Sequence, residues 1–106
     1  MTEEKALPDP RLVRIRRLVL AGRYRVSSHV HSSVADGEID FDAIPHSIVN
    51  AVTMERHRDQ EKASVDGWKY VITGPDAGGL AFRTVGKTVE GPDGEEYFVI
   101  TAFEVA

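Results

Sequence analysis

The spacing of apolar positions changes character near the middle of the chain. From Leu12 to Val52 they recur at three and four residues, the period of an amphipathic helix. Leu12, Ile15 and Val19, with Leu18 beside them, predict a first helix. Asp9-Pro10 is its start, an acceptor at the cap and proline at the first helical position, and Gly22 is its stop. Tyr24 to Val26 reads as extended or irregular. Ser27 or Ser28 caps a second helix from about His29 to Ala35, ended by Asp36-Gly37. Asp40 caps a third helix beginning near Phe41, with Ala43, Ile44, Ile48 and Val52 as its stripe. Pro45 is tolerated because it falls in the first turn.

After Asn50 the period becomes two, the signature of strands. Expected strands run over 52–58, 68–73, 80–89 and 97–105. Gly74-Pro-Asp-Ala-Gly-Gly79 and Gly91-Pro-Asp-Gly94 supply turn chemistry between the later ones. Strands joined by short turns form an antiparallel meander. The expected fold is therefore α+β: N-terminal helices on one face of a three- to four-stranded antiparallel meander, in two layers. Strict alternation in the last strand puts Tyr97, Val99, Thr101 and Phe103 on one face and Phe98, Ile100 and Ala102 on the other. A strand apolar on both faces is central or covered by a partner. Residues 1–8 read as a flexible tail, and 9–106 as one domain.

Composition narrows the function classes. The chain has 106 residues and no cysteine, which removes disulfide scaffolds, thiol catalysis and cysteine-zinc sites and fits a reducing cytoplasm. The opening residues are acidic where a signal peptide is basic and then apolar. Leu18-Val-Leu-Ala21 is too short to span a membrane. The formal net charge of −4 disfavours RNA as a partner. Within it, Arg11, Arg14, Arg16, Arg17, Arg23 and Arg25 fall together with no acid among them, and Asp36, Glu38, Asp40 and Asp42 follow as an acidic patch. Arg14, Arg17, Arg23 and Arg25 are candidates for binding RNA or an acidic partner; otherwise they are the wet face of an amphipathic helix.

The string Ala21-Gly-Arg-Tyr24 leads to Ser27-Ser28-His29, a short helix, a turn at Gly37-Glu-Ile39, a helix, and strands closing on Val99-Ile-Thr-Ala-Phe103. In this order the strings resemble a small bacterial family of unknown function related to the BrnT and RelE toxin ribonucleases, over roughly residues 12–105. The resemblance implies a metal-free endoribonuclease fold, in some cases a toxin paired with an antitoxin-like protein. Ser32, Ser33 and Ala35 stand where that family carries basic residues, a departure that implies a catalytically degenerate relative as the other outcome.

Metal-free RNA cleavage needs a base for the ribose hydroxyl, cations for the phosphorane and an acid for the leaving oxygen. His29 is the candidate base or acid. Arg83 and Lys87 share parity on a strand, with Lys69 on its neighbour, and form a cationic strip. Tyr97 and Thr101 are candidates for proton transfer or hydrogen bonding. The structural alternatives are a helix-tying histidine, a solvated sheet face and packed side chains. His29-x-His31 could hold zinc if extended, with His46 or His57 as a third ligand, but on a helix the two diverge and no zinc-motif spacing appears elsewhere, so neither a metal nor another cofactor is expected. The contrasting function is a non-catalytic module that dimerises or binds a protein through its last strand and basic helix.

Overall fold

The computed structural model describes residues 9–61 and 63–105; the expected tail at 1–8 lies outside them. The elements run α1 (Pro10–Leu20), β1 (Tyr24–Val26), α2 (Ser28–Ala35), α3 (Ala43–Val49), β2 (Thr53–Arg58), β3 (Trp68–Pro75), β4 (Ala81–Gly91) and β5 (Gly94–Glu104). Among the described residues the architecture is α+β, three helices on one face of a five-stranded sheet of order β1-β5-β4-β3-β2. Strands β2 to β5 form the expected antiparallel meander. The sheet has one strand more than expected and is mixed. Residues Tyr24–Val26 pair in parallel with Tyr97–Val99 at the β5 edge.

Local chemistry accounts for the helix starts. The Asp9 carboxylate accepts from the Arg11 amide at 2.8 Å, and Pro10 occupies a position that needs no donor. Ser27 does two jobs. Its hydroxyl accepts from the Val30 amide and donates to the Ile100 carbonyl at 2.8 Å, tying the start of α2 to β5. The third helix begins two residues later than expected, because Asp40 spends its side chain on the Asp42 amide in the preceding turn.

Leu12, Ile15 and Val19 of α1, Val30 of α2, and Ala43, Ile44 and Ile48 of α3 all bury against the sheet. The sheet meets them with Tyr70, Ile72, Phe82, Tyr97, Val99 and Ala102. Each large apolar side chain buried there contributes about 1.5–3 kcal/mol relative to exposure. His46 Nδ1 donates to the Pro75 carbonyl at 2.9 Å and pins α3 to the end of β3.

The expected alternation of β5 does not survive its whole length. Val99 lies opposite Gly86 and Thr101 opposite Val85, so Ile100 is an extra residue in the ladder. This β-bulge reverses the parity. Tyr97 and Val99 face the helices, and beyond the bulge Ala102 joins them; Thr101 and Phe103 turn to the face without helices.

Candidate functional site

Cross-strand neighbours share a face, so the register places each candidate. Thr73, Arg83 and Phe103 form one row on the open face, and Val71, Val85 and Thr101 form the next. Lys87 and Phe98 lie further along the same face. Tyr97 lies opposite Thr88 and Tyr24 on the helix-covered face and is fully buried. Arg83, Lys87 and Thr101 thus share one side of the sheet, as the strand spacing led one to expect for the two cations. Tyr97 is on the other side, with the sheet between them.

His29 sits on α2 and is exposed. Among the described residues its ring makes no hydrogen bond or ion pair, so nothing orients it as a base. The serine that precedes it in the motif is structural, as its bonds to Val30 and Ile100 show. The five candidate catalytic groups do not converge on one hollow. Among the described residues no three His, Asp or Glu side chains gather closely enough to hold a metal ion. Nor is any helix there long and apolar enough to cross a membrane.

Tyr97 keeps its proton at neutral pH. Burial, then the nearby Tyr70 and Asp66, push its hydroxyl far above the ordinary tyrosine range. That hydroxyl finds no hydrogen-bond partner among the described residues. Tyr70 donates to Asp66 and is also raised, first by burial and then by that carboxylate.

Lys87 is buried even though it points away from the helices. The connection between β2 and β3 closes over it: Lys87 Nζ lies 3.4 Å from Asp59 and 3.3 Å from Glu61, and the Val65 amide donates to the Thr88 carbonyl. The ammonium is therefore committed to two carboxylates and cannot also hold a phosphate. The Asp59 side chain is fully covered and accepts from the amides of Glu61, Ala63 and Ser64. Burial alone lifts its carboxyl; hydrogen bonding from Ser64 and Glu61 and the charge of Lys87 outweigh this and hold it below the ordinary range. A group depressed on folding stabilises the fold above its unfolded pKa, and that stability is lost as pH falls through the folded value. Wild-type urea midpoints are expected to drop in acid below about pH 4, and Asp59→Asn is expected to flatten that drop while lowering the neutral-pH midpoint. Parallel curves for the two proteins would remove Asp59 as the cause.

The arginines of 11–25 are mostly tied to the sheet. Arg14 forks onto the Glu95 carboxylate, Arg23 donates to the Asp93 and Glu95 carbonyls, and Arg25 pairs with Glu96 at 2.9 Å while lying over the Phe98 ring. Of the four candidates for RNA or partner binding only Arg17 has no side-chain partner among the described residues, and it is exposed. This cluster is chiefly a clasp between the first helix, β1 and the β4–β5 hairpin.

Two features escaped sequence reasoning. One is the Asp59–Lys87 pair, whose members are far apart in the chain with no pattern linking them. The other is Arg56 and Arg58, whose guanidinium carbons lie 4.3 and 4.8 Å from the Trp68 ring centroid. Their equal parity opposite the start of the tryptophan strand was the available signal for the second.

Set against family models, curated proteins and solved structures, the chain matches none of them. The likeness to BrnT and RelE rests on the residue strings alone.

Proposed function

We propose that the chain is a RelE/BrnT-like toxin-type module in a catalytically degenerate form, one that holds a protein partner against the open face of its sheet and does not cleave RNA. One observation carries this reading: the sheet separates the candidate catalytic groups. Tyr97 is sealed beneath the helices, while Arg83 and Thr101 stand on the far side. Acid, base and phosphate-binding cations must all reach one scissile phosphate within hydrogen-bond distance. Lys87 is already neutralised by Asp59 and Glu61.

The open face supports the binding half of the reading. It carries Val71, Val85, Phe98 and Thr101, all half-buried, and Phe103, which is exposed. Antiparallel sheets with one solvated face ordinarily line it with polar side chains. An apolar lining rimmed by charge marks an interaction surface. An antitoxin-like protein is the partner this reading names.

Induced expression in a bacterium tests the proposal. Growth is expected to continue at the rate of an empty-vector control. Growth arrest relieved by His29→Ala or Arg83→Ala would overturn it, because those residues would then be doing chemistry.

A further inference from the structure

At the hairpin end of β3 and β4 lies a hollow of about 280 Å³ lined by Val52, Thr73, Gly74, Pro75, Gly79 and Ala81, of which Thr73, Pro75 and Ala81 share the parity of the open face. Of its walls Val52, Pro75 and Ala81 are apolar, and Val52 keeps 77% of its surface in solvent. Phe103 reaches the open face because of the bulge at Ile100.

Arg83 stands in the row between Thr73 and Phe103. Its Nε donates to Thr73 Oγ1 at 2.9 Å, which fixes the plane of the guanidinium. The rest of the group makes no hydrogen bond or ion pair among the described residues. Among the described residues, an oriented cation with no ion pair therefore lies next to the hollow, on the sheet face that no helix covers.

We infer that this hollow and Arg83 together form a docking site for an acidic–apolar peptide segment of a partner protein. An apolar side chain would fill the hollow and a neighbouring Asp or Glu would meet the guanidinium. Three arguments fix the ligand class. The hollow is no larger than the lower end of small-molecule sites, roughly 300–1,000 Å³, so it suits one or two side chains. Covering Arg83 with an apolar surface alone would bury an uncompensated charge, which is strongly unfavourable; the occupant must bring a carboxylate, which a guanidinium binds in a forked, geometrically specific way. Finally β3 and β4 each have a neighbour on both sides, so recognition here runs through side chains and not through strand addition.

A second copy of the chain fits less well. Its exposed acids Glu38, Asp40 and Asp42 alternate with Ile39 and Phe41. Ile39, however, packs against the core and Phe41 stacks on Tyr24, with centroids 6.3 Å apart, so neither is free to enter a neighbour's hollow.

The inference rests on the protein-binding reading above and specifies its partner. A displayed library of random peptides selected on the full chain tests it. Enriched peptides are expected to place Asp or Glu beside an apolar residue, to shift the amide resonances of Thr73, Arg83 and Phe103, and to bind Arg83→Gln about tenfold more weakly, as loss of a charge-assisted bond implies. Val52→Asp, at an exposed wall of the hollow, is expected to weaken the same peptides without lowering the melting temperature. No enrichment, enrichment of peptides without acids, or affinity indifferent to Arg83→Gln would overturn the inference, as would self-association of the chain abolished by Arg83→Glu. None of these outcomes bears on RNA cleavage, so the docking site can fail while the non-cleaving reading stands.

Discussion

Gly74→Ala is expected to destabilise the fold by about 3 kcal/mol, the upper end of what overpacking a close-fitting core costs. A Cβ at this position would stand 2.2 Å from the Ser47 carbonyl oxygen and 3.0 Å from the Ala51 Cα. Both are backbone atoms, so no rotamer change relieves the clash. The missing side chain lets the end of α3 lie directly on β3, where His46 pins it to Pro75. In a domain of this size the loss corresponds to a fall of roughly 12–24 °C in melting temperature. Gly86→Ala is the milder relative, since its Cβ would meet the Tyr97 ring at 2.6 Å and a ring can yield a little. Gly78→Ala is the control: its Cβ would make an ordinary 3.5 Å contact with Asp76, and its effect is expected to stay within about 0.5 kcal/mol. Thermal unfolding of the three variants checks the order. Equal melting temperatures for Gly74→Ala and Gly78→Ala would mean that α3 does not sit where it is placed here.

Alkaline pH is expected to unfold the chain, and Tyr97 sets the steepness. Burial, then Tyr70 and Asp66, raise its folded pKa well above the ordinary 10.0. Below pH 10 the hydroxyl is protonated in both states and contributes no pH dependence. Above it the unfolded chain loses the proton and the folded chain keeps it, so stability falls by about 1.4 kcal/mol per pH unit from this one group. Tyr70, raised in the same direction, adds to the fall. Tyr97→Phe is expected to remove the first contribution. It should leave neutral-pH stability unchanged or slightly raised, because it deletes a buried hydroxyl with no partner among the described residues. Tyrosinate absorbance and circular dichroism followed together against pH check this. Ionisation of every tyrosine while the circular dichroism is still that of the folded chain would show that Tyr97 is open to solvent.

The helices were legible because their signals are local. Asp9-Pro10 and Ser27 mark starts through bonds to amides two or three residues on, and Leu12, Ile15 and Val19 mark the buried stripe. Strand β1 was not legible as a strand. Three residues carry no period, and Tyr24–Val26 is made a strand by a parallel partner some seventy residues away. The faces of β5 follow strict alternation only as far as Val99. A bulge changes one register position, and a strand apolar on both sides hides the change.

The same two causes explain what was readable in the site. Arg83 and Lys87 were placed on one face by parity, and the structure keeps them there. What parity cannot reveal is cover. Lys87 lost its solvent to Asp59 and Glu61, which arrive from a connection without pattern, whereas Arg83, one row from the hairpin, kept most of its guanidinium free. His29 shows the reverse: a motif histidine that sequence singles out, left exposed on α2 while the neighbouring Ser27 holds the helix to the sheet.

Incubating the purified chain with a structured RNA in excess chelator, beside His29→Ala and Arg83→Ala, tests most directly whether the sheet has parted the catalytic groups. RNA is expected to be left intact by all three proteins over hours at neutral pH. Cleavage by the wild type that disappears in either variant would contradict this expectation, because those side chains would then have met at one phosphate.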